Sequence, residues 1–248
     1  MRFLVHGEGN SDVGTSEENQ GPLMDAVRWV VDQVLEAAPP VPVSYCFPSK
    51  ADLQNALSPR VGRLRTMPST DEDKEVAVFH LQARALATLA SKDPDGGAIL
   101  FHDCDFTREK VNPDQRKARY KAIVCAMERG FKKAGFKNGV PMVPRPRSES
   151  WLLCLCRQTE APGEAYFEDL PGNDKAPNSG KKRLANALGC KEREIYDRLA
   201  QLSFDWARLQ APSFLFFAKR LRHVTERLAH LPCTSPEEET LMSEQLAH

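Results

Sequence analysis

A recurring unit constrains this chain more than anything else: a short apolar, β-rich run, then a turn, then an amphipathic helix. "RFLVHG" at residues 2–7 reads as a buried strand halted by Gly7. After an acid-bearing turn, "GPLMDAVRWVVDQVLEAA" spaces Leu23, Val27, Val30, Val31 and Val34 at helical intervals, with Pro22 tolerated near the start. "PPVPVSYCF" is a second strand entered through prolines. Residues 50–70 are polar and Arg-bearing, and read as loop with a short helical piece. "DEDKEVAVFHLQARALATLASK" predicts a helix running to Lys92, its acids in the first turn where the helix dipole favours them. "AILFHDCD" is a third strand, and "NPDQRKARYKAIVCAMERGFKKAG" a helix that ends in glycine. "VPMVPRP" is short and extended, and "SESWLLCLC" reads as a helix capped by Ser148. This alternation predicts a mainly parallel, Rossmann-like α/β sheet covered by helices.

Near residue 160 the pattern changes. "EAPGEAYFEDLPGNDKAPNSG" is a Pro/Gly-rich connection, after which "KKRLANALG", "KEREIYDRLAQL" and "PSFLFFAKRLRHVTERLAHL" all read as helices. The expected organisation is an α/β catalytic domain over residues 1–158 and a helical extension over 159–248 packed on it. Lys plus Arg (34) balance Asp plus Glu (34), so a nucleic-acid-binding surface has to come from local clustering. No apolar run approaches the ~20 residues of a membrane span. The acidic turn interrupts anything resembling a signal peptide. An odd count of 7 cysteines, without the spacing of a small secreted domain, fits reduced thiols in a cytoplasm.

The third strand carries the chemistry. Side chains alternate along a strand, so Asp103 and Asp105 of "FHDCDFTR" point the same way and Cys104 the opposite way. Two residues span roughly 6.6 Å, near enough for both carboxylates to serve one hydrated cation or two neighbouring ones. Magnesium suits such a site, because it keeps several waters and accepts phosphate oxygens. Ligands of parallel α/β sheets sit at the carboxyl ends of strands. Glu8 follows the first strand, which brings it to the same sheet edge. Taken singly, Glu8 and Asp12 read as caps of the following helix and the aspartates as turn acids. Taken jointly, in this order and at strand ends, they read as a metal site.

A glutamate turn after the first strand and a later strand ending Asp-x-Asp resemble the Toprim fold shared by topoisomerases, bacterial primases and OLD-type nucleases. "GEGNSD" is similar to the glutamate motif of the OLD-like branch, and "RPRSESWLLC", "GKKRL", "FDW" and "APSF" resemble further motifs of small stand-alone Toprim-like proteins. Such proteins stand frequently in bacterial defence loci beside an ATPase. The resemblance implies that Glu8 is a metal ligand or general acid/base and that Asp103 and Asp105 hold Mg²⁺ or Mn²⁺. Asp12 and Glu149 would then be secondary ligands or positioners of a metal water. It implies hydrolysis of DNA or RNA phosphodiesters, as an anti-phage effector with a possible ATPase partner; the alternative is a non-catalytic subunit that scaffolds nucleic acid or that partner. His6 and His102 stand where the family carries simple hydrophobic residues.

Candidate substrate contacts are Arg108, Arg145 and Arg147, which lie near the acids in sequence and whose guanidinium groups suit phosphate. Lys181, Lys182 and Arg183 open a helix and read either as phosphate contacts or as an ordinary solvated helix start. "GEGNSDVG" lacks the G-x-G-x-x-G spacing and "NSGKKRL" lacks the upstream glycine of a P-loop, so neither is a nucleotide loop. Cys154, Cys156, Cys190 and Cys233 lack paired zinc spacing and read as buried thiols. Trp151, among leucines, reads as core.

Overall fold

The computed structural model of the chain describes residues 1–7, 11–36, 38–57, 71–104, 113–156, 164–171 and 173–232. Among them, four strands form one sheet: β1 (Arg2–Gly7), β2 (Ser44–Cys46), β3 (Gly96–Phe101) and β4 (Gly139–Met142). Their order is β2-β1-β3-β4, and every pairing is parallel. The helices are α1 (Leu23–Leu35), α2 (Lys50–Ala56), α3 (Asp71–Ala90), α4 (Pro113–Lys133), α5 (Ser148–Cys156), α6 (Gly180–Leu188), α7 (Ile195–Leu199) and α8 (Pro212–Leu228). The mainly parallel α/β reading is thus the fold observed. The extended "VPM" run forms the fourth strand.

Strand parity divides the core in two. Phe3, Val5, Ile99, Phe101, Val140 and Met142 point into one apolar cluster, while Ala98 and Leu100 point into another. The first cluster lies under α1 and α8, the second under α3 and α4. Right-handed crossovers dictate this split. The chain moves one way from β1 to β2 and the other way to β3 and β4, so α1 falls on one face and α3 and α4 on the other. That leaves the β3–β4 half of the α1 face bare.

The C-terminal segment closes it. Phe214, Phe217, Leu221, Val224 and Leu228 of α8 enter the same cluster as Phe3 and Phe101, joined by Trp206, Leu184 and Ile195. Arg220 Nε donates to Gly139 O at 3.2 Å, and Arg227 Nη1 to Lys137 O at 3.1 Å, fastening α8 along β4. The segment after residue 158 therefore shares one core with the α/β part.

Local chemistry accounts for several element ends. Ser49 and Asp52 make a reciprocal capping box at the start of α2, with Ser49 N donating to Asp52 Oδ2 at 2.8 Å. Gly189 ends α6 in the left-handed conformation, φ 63°. The "KEREIYDRLAQL" stretch is broken into a 3₁₀ turn at Glu192–Glu194 and the short α7, instead of one continuous helix.

A buried polar chain joins the two parts of the core. Trp151 Nε1 donates to Ser213 Oγ at 2.8 Å, Ser213 Oγ donates to Glu168 Oε1 at 2.6 Å, and Arg145 Nη2 lies 2.9 Å from Glu168 Oε2. Trp151 and Glu168 are both wholly buried. Breaking such a pair by removing one partner strands the other charge in the core, which costs about 3–5 kcal/mol.

Candidate metal centre

The strand order reverses between β1 and β3. In open parallel sheets, the cleft outside the carboxyl ends of the strands at that reversal is where ligands bind. Gly7 at the end of β1 pairs with Phe101 at the end of β3. A Cβ on Gly7 would come within 2.6 Å of the Phe101 ring, so glycine permits the close approach of the two strand ends. Glu8 follows Gly7 directly, and Asp103 stands two residues beyond Phe101. Glu8 itself, Asp105 and Arg108 lie outside the described residues.

Three expected carboxylates meet at the first turn of α5. Ser148 links two of them: its N–H donates to Asp103 Oδ1 at 2.9 Å, and its hydroxyl donates to Asp12 Oδ1 at 2.5 Å. Asp12 also accepts from the Tyr196 hydroxyl of α7 at 3.4 Å. Glu149, next along α5, is buried, and its Oε2 has no hydrogen-bond partner. The expectation that Ser148 caps α5 is corrected: Ser148 is its first residue, and its hydroxyl is committed to Asp12. Asp103 takes the helix N–H instead, an arrangement that the positive end of the helix dipole favours.

The electrostatics are strained in one direction. Burial, together with the charges of Asp12 and Glu149, pushes the Asp103 carboxyl well above its ordinary value, against the Ser148 N–H and Arg147. Burial raises Asp12 despite hydroxyl donors from Ser148, Tyr196 and Ser11. Burial likewise raises Glu149, to which the charge of Asp12 adds. Like charges brought together in a poorly solvated place disfavour ionisation of one another. Arg147 opposes this for all three, while its Nη1 also donates to Asp174 Oδ1 at 2.8 Å.

Other expected residues separate into those near the centre and those committed elsewhere. Arg145, expected as a substrate contact, faces Glu168 at 2.9 Å and Asp169 at 3.9 Å. Lys181, Lys182 and Arg183 lie in the first turn of α6, where a Cβ on Gly180 would stand 3.5 Å from Glu149 Cβ. Lys182 Nζ donates to Lys175 O and Ala176 O at 3.3 and 3.1 Å. The third strand ends at Phe101, short of the expected Asp105, and Cys104 beyond it is buried in the α3/α4 cluster. His102 packs edge-on against Phe79, and His6 Nδ1 meets Pro48 O at 2.9 Å. Both are packed, His6 within β1 and His102 just past the end of β3, and burial lowers the His6 pKa. Trp151 is core. Cys154, Cys156 and Cys190 are half-buried rather than buried thiols outside any disulfide, and burial pushes the Cys156 thiol up to about 11; Cys233 lies outside the described residues.

Tyr196 and Asp174 are the residues that sequence reading missed. Neither stands near an acidic motif in the chain; each reaches the centre only through the folding of the C-terminal segment.

Among the described residues, no three His, Cys, Asp or Glu side chains form a set that could close around a metal ion. Glu149 Oε2 is a buried acceptor without a donor, and the three carboxylates repel one another, a repulsion that a cation would relieve. No helix of the described residues is long and apolar enough to cross a membrane. No family model matches the chain, and no curated protein or solved structure matches it.

Proposed function

We propose that this protein is a metal-dependent phosphodiesterase of the Toprim-like kind, cleaving DNA or RNA with Mg²⁺ or Mn²⁺ held by Asp103, Asp12 and Glu149 together with Glu8 and Asp105. One observation supports this reading above the others: a buried carboxylate oxygen, Glu149 Oε2, without a partner beside two further acids at the reversal point of the sheet. When bound, the metal neutralises the charge that builds on the phosphodiester and makes hydroxide available from water near neutral pH.

The chain's own residues have distinct tasks. Ser148 fixes the Asp103 and Asp12 carboxylates relative to each other through its N–H and its hydroxyl. Tyr196 gives Asp12 a second donor and so ties the extension to the centre. Arg147 offsets the charge of all three acids, and its guanidinium suits phosphate oxygens as well. Glu8 serves as ligand or general base. Recruitment by a partner ATPase in a defence setting belongs to the same proposal, and it suits a chain with no net charge to draw nucleic acid by itself.

A second reading, a non-catalytic scaffold, is favoured by the lack of a complete metal-ligand set among the described residues. The two are separated by incubating purified protein with plasmid, single-stranded DNA and RNA in Mg²⁺ or Mn²⁺ and in EDTA, alongside Glu8→Gln. Cleavage that needs metal and disappears in Glu8→Gln is the expected result. Intact substrates under every condition, with nucleic-acid binding unchanged in the variant, would leave the scaffold.

A further inference from the structure

Two cavities of about 490 Å³ each have linings of opposite charge. One opens between Ser11 and Tyr196, the neighbours of Asp12, and is lined by Glu17, Glu18, Asp25 and Asp197. Its cation, Arg28, faces Asp25 at 3.6 Å. The other is a groove between α6 and the 3₁₀ turn that follows, lined by Lys182, Asn186, Lys191 and Arg193 with the single acid Glu192.

The groove is connected to the centre by one short helix. Lys182, Ala185 and Asn186 are three and four residues apart, so they share the face of α6 that lines it. Gly180, at the start of α6, abuts Glu149. Asn186 then lies roughly 9 Å further along the helix axis at 1.5 Å per residue. Lys191 and Arg193 are exposed at the far wall, and among the described residues the ion partner of Arg193 is Glu194, at 3.4 Å and itself largely exposed. Exposed pairs of that kind hold little energy, so the guanidinium is available to phosphate.

We infer that a single nucleic-acid strand reaches the centre along the α6 groove, its backbone phosphates held by Lys191, Arg193 and Lys182, and not through the acidic cavity. This rests on the phosphodiesterase reading and adds the path of the substrate to it. A polyanion entering past Glu17, Glu18, Asp25 and Asp197 would meet like charge at every step. Along α6 it meets cations and the amide of Asn186. A positively charged groove that tracks the backbone is the usual means of holding single strands without sequence preference.

The test is binding, measured in EDTA so that no strand is cut. Fluorescence anisotropy with oligothymidylate and oligouridylate of about 20 nucleotides compares wild type with two double reversals, Lys191→Glu/Arg193→Glu and Glu17→Lys/Asp197→Lys. All four positions are exposed, and circular dichroism confirms that each variant folds. The groove variant is expected to bind at least tenfold more weakly. Its log–log salt slope should be shallower by about 1.4, two phosphate contacts at about 0.7 each for single strands. The acidic-cavity variant should bind no more weakly than wild type. Equal affinity of the groove variant and wild type, or no binding by wild type in about 50 mM salt, overturns the path. Failure of the parent reading looks different: a strand that binds along the groove but is never cut with metal refutes the phosphodiesterase and leaves the path standing.

Discussion

Cut after residue 158, the chain should give no folded protein. The α/β part alone would expose the sheet face formed by Phe3, Val5, Ile99, Phe101, Val140 and Met142, which α1 and α8 cover together. On α8 alone, Phe214, Phe217, Leu221, Val224 and Leu228 are buried, Phe217, Leu221 and Val224 completely. At about 2 kcal/mol for each buried apolar side chain, these five contribute on the order of 10 kcal/mol. That equals the whole net stability of a typical domain, about 5–15 kcal/mol. Removing the segment also strands Arg145 without Glu168 and Trp151 without Ser213. Thermal unfolding of the 1–158 fragment should show no cooperative transition. A sharp melt with native-like circular dichroism would mean that the two segments have separate cores after all.

Asp103→Asn should stabilise the metal-free protein and abolish its metal-dependent cleavage. The folded-state pKa of Asp103 is raised by burial and by the charges of Asp12 and Glu149. A raised carboxyl pKa means that the ionised form is the disfavoured one in the fold, so above that pKa its charge costs stability; below the ordinary carboxylate value the cost is gone. Asparagine keeps an acceptor for the Ser148 N–H without the charge. In EDTA the variant should therefore melt a few degrees above wild type at neutral pH, with the gap closing as the pH falls toward the ordinary carboxylate range. Cleavage should drop on the order of 10³-fold, because metal charge stabilisation supplies several kcal/mol and each 1.36 kcal/mol is tenfold. A lower melting temperature together with normal cleavage would assign Asp103 a purely structural role.

Much of this was legible in the sequence, for identifiable reasons. Strand and helix periodicities are local, so β1, β3, α1, α3 and α4 could be read from spacing alone. Strand order brought Glu8 and Asp103 to one sheet edge in the reading, whereas Asp12 entered only through the resemblance, and its meeting with Asp103 at the start of α5 was not foreseen. Side-chain partnership is not local, and there the reading fell short. The ion pair of Arg145 with Glu168, 23 positions on, was not legible from the neighbouring Glu149. Ser148 looked like a helix cap, but its partner is Asp12, 136 residues distant in the chain. Tyr196 carries no motif at all, and only the return of the C-terminal segment across the sheet brings it to Asp12.

Titrating Mn²⁺ into the metal-free protein by isothermal calorimetry tests the convergence of these acids most directly, with Asp103→Asn and Glu8→Gln as companions. Saturable binding by wild type, weakened at least tenfold in each variant while both remain folded, is the predicted outcome. Identical titrations for all three proteins, or no saturable binding by wild type, would contradict it.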